Sequence, residues 1–475
     1  MAAGGAALGI LAAFWASKAL GPVIPEDWYR VGEASIDLNV LLFTLAVTIG
    51  AVLVFGLAPA LGATRTDLAA ALKEGGRAGW SAGAMRVRRG LVVFQVVMAV
   101  VLISGMGLMV RSLVAARSTA LGFRPDDVLV VEASPPESDY PTWENVRAYL
   151  DRVTREVERL PGVRRVANAA FLPLNNETST TQLARPGREP ARSEDWPLAV
   201  ANRVSAGYFD AMAIPVVAGR DFGPEDGPDA PTVVVVSRSV AERHWPGERP
   251  LGRTILIGEP GDTRAAIIVG VVGEVRHQGI AVATEPMVYF AASQGGGRRR
   301  FVIVRGERDP AALASPVRQA MHLIDASLPL TVRPLSNIVN ENLLPWSLPS
   351  RVLTVLGAVA LLLASLGIYG LVAYSVAQRR REIGVRMALG ATRERIRRGF
   401  LEEGLRLSVI GLVIGIVAAL VTGRLMASRL FDVGPFDAVT LGAVLVVFAG
   451  VAVGASLLPA ARASRVEPVS VLREL

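Results

Sequence analysis

The side chains able to do chemistry are few, and their spacing excludes most reactions. Lysine occurs only at Lys18 and Lys73, preceded by Ser17 and Leu72. A phosphate-binding loop of the form GxxxxGK[ST] needs a glycine ahead of its lysine, because backbone N–H groups cradle the phosphates while the lysine reaches the terminal ones. Neither lysine qualifies, so ATP hydrolysis by that route is excluded. His244, His277 and His322 are widely separated, lack metal-ligand spacing and read as surface or structural residues. Cysteine is absent, which removes disulfides and thiolate metal sites. HExxH is absent too. The run "GGGRRR" at 295–300 reads as a solvated hairpin turn rather than a phosphate site. The sequence thus assigns no catalytic, cofactor-binding or metal-binding residue, and the chain is not expected to be an enzyme.

The elements around these residues explain the poverty. Of the 475 residues, 51% are hydrophobic, and the mean hydropathy is +0.41. Five runs, 38–64, 90–110, 352–378, 407–423 and 438–461, contain no Asp, Glu, Lys or Arg. About 20 apolar residues in a helix cross a bilayer, and buried soluble helices seldom stay charge-free so long. A sixth run, "MAAGGAALGILAAFWAS", starts at Met1; no basic residue precedes it and no convincing cleavage site follows, so it reads as a span rather than a signal peptide.

An internal repeat supports that reading. "LAPALGATRTDLAAALKEG" returns near the end of the chain as "LLPAARASRVEPVSVLREL", with Pro59, Ala60, Arg65, Leu72 and Glu74 matched by Pro459, Ala460, Arg465, Leu472 and Glu474 in one register. Gly5 and Gly9 align with Gly411 and Gly415 at a register shifted by six residues, as a longer loop in the first copy requires.

The net charge of +8 is concentrated beside the spans, where it sets topology instead of marking a nucleic-acid surface. Loops 65–89 and 379–398 and the tail from 462 are rich in Arg, while 25–37 and 429–437 are poor in Arg and Lys. The positive-inside rule makes the first group cytoplasmic, and six alternating spans then put 116–349 outside. That outer segment reads as α+β. Helix-like "TWENVRAYLDRVTREVERL" and "DPAALASPVRQAMHLID" alternate with β-branched runs such as "VLVVEAS", "TVVVVS" and "AAIIVGVVG". A β-rich subdomain, about 200–295, is expected inside an α/β one. Within the membrane, Gly411/Gly415 and Gly450/Gly454 form GxxxG pairs that let helix backbones pack closely.

The polar stretch "SVAQRRREIGVRMALGATRERIRRGFLEEGLRL", residues 375–407, resembles the cytoplasmic loop of MacB/FtsX-like permeases of ABC transporters. Arg379, Arg381, Glu382, Ile383, Gly384, Val385, Arg386, Ala388, Leu389, Gly390 and Ala391 fit that family's motif. The C-terminal tail and the outer signatures "YFDAMAIPVVAGRDF" and "VSRSVAERHWPGERPLGRTI" are similar to the family's as well. The resemblance implies an α-helical membrane protein of six transmembrane helices with an α+β extracytoplasmic domain, a MacB-like periplasmic core. Residues 1–74 look like the last two spans and tail of a first FtsX-like unit, as in duplicated orphan permeases, so an N-terminal truncation is expected. Then come a cytoplasmic linker at 75–87, a stalk helix at 88–115, the outer domain at 116–349 and a three-helix FtsX-like domain at 350–475.

The implied function is that of a permease subunit in the cell inner membrane, coupling a separate ABC ATPase to the outer domain for export. The alternative is a non-transporting, FtsX-like signal transmitter. Membrane lipids and the ATPase are the implied partners, the family allows a periplasmic adaptor, and no nucleic acid or cofactor is expected. Residues 379–391 would form a short helix on the inner membrane face that docks on the ATPase. Ile383, Val385 and Leu389 would give apolar contact, Glu382 and Arg386 would pair, and Gly384 and Gly390 would permit close approach and a turn. Asp at Ile383 and Leu389 is expected to abolish coupling and spare membrane insertion.

Overall fold

The computed structural model describes residues 38–52, 82–297, 300–307 and 309–463. The chain divides into two compact units, one of residues 1–110 and 349–475 and the other of residues 111–348. It passes between them inside two unbroken helices.

The N-terminal part contributes α1 (Leu38–Val52) and α2 (Ala82–Ser118). The second unit follows, with β1 (Val128–Ala133), α3 (Trp143–Glu158) and β2 (Val163–Ala169). Strands β3 (Ser179–Ala184) and β4 (Leu198–Val204) lead to the short α4 (Tyr208–Met212) and to β5 (Val216–Gly219). Next come β6 (Val233–Ser237), α5 (Arg238–His244), β7 (Thr254–Glu259), β8 (Asp262–Val272) and β9 (Met287–Ala291). The unit finishes with β10 (Arg300–Gly306), α6 (Pro310–Ile324) and β11 (Leu330–Pro334). Four α-helices follow among the described residues: α7 (Leu335–Gln378), α8 (Arg380–Ala388), α9 (Arg393–Leu425) and α10 (Ala438–Ala463).

In the outer unit β11, β1, β10 and β2 form an antiparallel sheet in that order, the split β-α-β-β-α-β arrangement, with α3 and α6 packed on one face. Helix α3 starts where Thr142 and Asn145 cap each other reciprocally. It buries Val146, Tyr149, Leu150, Val153 and Val157, a stripe at helical spacing. Everything from β3 to β9 is inserted between β2 and β10. There β4, β3, β7, β8, β6 and β9 pair in sequence, and a parallel β4–β9 ladder closes them into a ring. The ring has its own core, including Val234, Val236, Ile255, Ile268 and Val288. It meets the four-stranded sheet in one ladder pair, Ala169 and Val204, flanked by hydrogen bonds from Ala170 N–H to the Arg203 carbonyl and from Ser205 N–H to the Asn168 carbonyl, both 2.9 Å.

Two expectations change here. The ring begins at Ser179, not near 200, because β3 is a Thr-rich strand without an apolar run. Arg300 is no solvated turn residue. It starts β10 opposite Ala133 and is fully buried. Its Nη1 donates to the Arg203 carbonyl at 3.0 Å, and its guanidinium lies 4.8 Å from the Trp143 ring centroid. Burial, with Arg203 nearby, lowers its pKa to about 10.

In the membrane unit four helices are long and apolar enough to span a bilayer among the described residues: 85–118, 335–378, 393–425 and 438–462. The expected sixth span, starting at Met1, lies outside the described residues. The expected span 38–64 is described only over α1, so four of the six expected spans are matched by helices of sufficient length and hydropathy among the described residues. Helix α2 already begins at Ala82, inside the expected linker. The bundle core joins Val96 and Val100 of α2, Ile368 and Val372 of α7, Ala419 of α9 and Phe448 of α10. Outward, α7, α9 and α10 expose Leu362, Leu366, Val417, Val421 and Val446, an apolar surface suited to lipid tails.

Candidate coupling surface at the basic end of the bundle

Four links tie one end of the bundle together. Arg89 of α2 pairs with Glu403 of α9 at 2.7 Å, and Arg379 approaches the same carboxylate at 4.0 Å. The Arg88 guanidinium lies 4.4 Å from the Tyr374 ring centroid of α7. Arg462 of α10 donates to the Tyr369 hydroxyl at 2.6 Å. The N-terminal ends of α2 and α9 therefore meet the C-terminal ends of α7 and α10. Sequence reading missed Glu403 as an organising residue; the signal was an acidic pair, "FLEEG", flanked by arginines just before an apolar run.

Helix α8 belongs to this end. Gly390 stops it with a φ of +94°, a conformation that costs glycine little. The Ala391 N–H bonds the Arg386 carbonyl at 2.9 Å and the Gly390 N–H bonds that of Met387 at 3.1 Å, a glycine-terminated helix end. Two residues on, Thr392 caps α9, its side chain accepting from the Arg395 N–H at 3.3 Å. The segment 379–398 is thus two helix ends joined by a tight turn, with little loop.

Ile383 is 3% exposed and sits in the bundle core with Ile396 and Phe400. It is a folding residue in this structure, and the expectation that it is displayed for a partner is corrected. Gly384 is buried beside it. Val385 is 50% and Leu389 83% exposed, so these two carry the displayed apolar surface. Glu382 and Arg386 pair at 2.5 Å on the open face. A groove of about 490 Å³ runs between α8 and α9, with Ile383, Ile396 and Phe400 on its apolar side and Arg379, Arg386 and Arg395 along it. Arg381 lies in α8, and Ala391 in the turn lines the groove.

Of the glycine pairs, Gly411 and Gly415 face α2 closely: a Cβ on either would stand 2.8 Å from the Cβ of Val96 or Val100. Gly450 and Gly454 meet nothing within 4 Å among the described residues. Their expected packing role is not realised there, because they lie on the outward face of α10.

Residues 354–468 match the FtsX-like permease C-terminal family, and residues 91–320 match the MacB-like periplasmic core domain. The chain is a MacB/FtsX-like permease. This permease is 28% identical to a probable syringafactin export ATP-binding/permease protein of Pseudomonas syringae pv. tomato, over 57% of this chain and 41% of the relative. It is 28% identical to a macrolide export ATP-binding/permease protein of Azoarcus sp., over 57% of this chain and 42% of that one. The chain thus spans about two fifths of the length of the curated relatives it matches. The solved periplasmic region of MacB from Actinobacillus actinomycetemcomitans aligns at a TM-score of 0.32 with 15% identity, covering 46% of this chain and 92% of that one. Four helices apolar and long enough to span a bilayer, together with the match to the MacB-like periplasmic core domain, make this permease a membrane protein with an extracytoplasmic domain.

Proposed function

We propose that this chain is the permease subunit of an ABC-type export system in the cell inner membrane, driven by an ATPase on a separate chain. The observation that carries the reading is α8. It is a short helix at the Arg-rich, inward end of the bundle, with Leu389 and Val385 displayed beside a basic groove. An ATPase surface with an apolar pocket and acidic rim is its complement. Closure of the ATPase on ATP would push α8, and α8 is seated in the bundle through Ile383. Movement would pass into α2 and α7, the two helices through which the chain enters and leaves the outer domain. The relatives named for export favour this over a non-transporting signal transmitter.

The six-span topology, with 116–349 outside, belongs to this proposal, as does a periplasmic adaptor on the outer domain. With no phosphate-binding loop, the chain alone should hydrolyse no ATP. The test is co-purification with the ATPase encoded nearest its gene. The pair should turn over ATP, the permease alone should not, and Leu389→Asp should lose the partner. Turnover by the permease alone, after removal of contaminating ATPases, would overturn the assignment.

A further inference from the structure

The outer unit holds a polar cavity that the coupling mechanism does not use. It has a volume of about 330 Å³ and lies where α3 and β2 meet the inserted ring. Asn168 of β2 lines it and is 6% exposed. Strand alternation puts Asn168 on the same face as Val166, which packs in the core under α3, so its amide faces that helix. The Asn168 backbone is already satisfied: its N–H donates to Ser205 Oγ at 2.8 Å, and its carbonyl accepts the Ser205 N–H at 2.9 Å. Its side-chain Oδ1 is buried without a protein partner. Trp143, also in the lining, keeps its buried indole N–H without one. One atom only accepts and the other only donates.

Charge and shape narrow the occupant. Arg147 and Asp151 line the cavity one turn apart on α3, with no ion pair between them. Arg147 makes a long, 3.5 Å bond to the Ser293 carbonyl. Leu150, Phe222 and Pro224 give the cavity an apolar wall. A peptide group presents a carbonyl and an N–H together, apolar side chains suit the wall, and charged ends suit Arg147 and Asp151. We infer that this cavity is a binding site for a short stretch of peptide, bridging the α3 layer and the inserted ring.

The experiment is calorimetric titration of the full chain in detergent with tri-alanine and, separately, with N-acetyl-tri-alanine amide. Saturable binding is expected, weakened at least tenfold by Asn168→Leu and by Ala206→Phe, which fills the cavity from an exposed position in its lining. Equal binding of the two peptides identifies a segment of a longer polypeptide as the natural occupant. Binding of tri-alanine alone identifies a free peptide with charged ends. Absence of saturable binding by either, or binding that Ala206→Phe leaves unchanged, overturns the inference and leaves a hydrated cavity. Should Asn168→Leu fail to fold, Ala206→Phe decides alone. No ATPase enters the measurement, so its outcome is independent of the coupling proposal.

Discussion

Replacing Ile383 and Leu389 one at a time should separate folding from coupling. Ile383 is 3% exposed against Ile396 and Phe400, so Ile383→Ala removes buried methyl groups and leaves a cavity. Such a change costs about 2–5 kcal/mol, a large part of a domain's usual 5–15 kcal/mol, roughly. Leu389 is 83% exposed, and Leu389→Asp should change stability by less than about 0.5 kcal/mol. If Leu389 becomes buried on the ATPase, its loss forfeits about 1.5–3 kcal/mol of apolar burial. At about 1.4 kcal/mol per tenfold, affinity falls roughly ten- to a hundred-fold. The assay pairs thermal unfolding of the solubilised chain with its affinity for the ATPase that co-purifies with the wild type. Ile383→Ala should melt well below wild type, and Leu389→Asp should melt with wild type but bind poorly. Wild-type affinity in Leu389→Asp would refute the docking role of α8, and wild-type melting in Ile383→Ala would refute its seating in the core.

Gly411→Leu should cost about 1–3 kcal/mol by overpacking against Val96, while Gly450→Leu, with open space around it, should melt like wild type. A double-mutant cycle on Arg89 and Glu403 should give a coupling of about 1 kcal/mol, since Arg89 is 42% exposed in its side chain and solvent screens the pair; a coupling of zero would remove the pair as a clasp. Reporter fusions after Gly122 and Arg393 should give opposite signals, and matching signals would break the six-span topology. Burial holds His277 below its ordinary pKa, only partly offset by the bond from its Nε2–H to the Glu177 carbonyl at 3.1 Å. Protonation therefore favours the unfolded state, so the outer unit keeps full stability above the unfolded value of 6.5 and loses stability as pH falls through it. Urea midpoints at about pH 5 and pH 7.5 should differ in wild type and converge in His277→Gln.

The spans, their basic flanks and the turn at Gly390 were legible because each rests on local chain properties: charge-free length, Arg placement, a residue tolerant of positive φ. The inward turn of Ile383 was not. Ile383 and Leu389 are six residues apart, so they point about 240° apart around a helix, and nothing in α8 itself says which side meets the bundle. Gly411/Gly415 and Gly450/Gly454 share one motif and differ for the same reason, the facing partner. Ring closure was also hidden, because β4 and β9 are distant in sequence and pair in parallel. Arg300 was misread since its burial depends on Trp143 and Arg203, both remote in the chain.

The closed ring has a consequence for how this fold tolerates change. An open insert would end in unpaired strands and would have to borrow hydrogen bonds from the host sheet or from another molecule. Six strands paired in a circle need neither, and they meet β2 in one ladder pair with a few flanking hydrogen bonds. Such an insert can drift in sequence or lengthen its turns so long as the bonds at Arg203, Ser205 and Ala211 that hold it to β2 and β10 are kept. Variation among permeases built this way should gather in the turns between Ser179 and Ala291, while the frame beneath is kept.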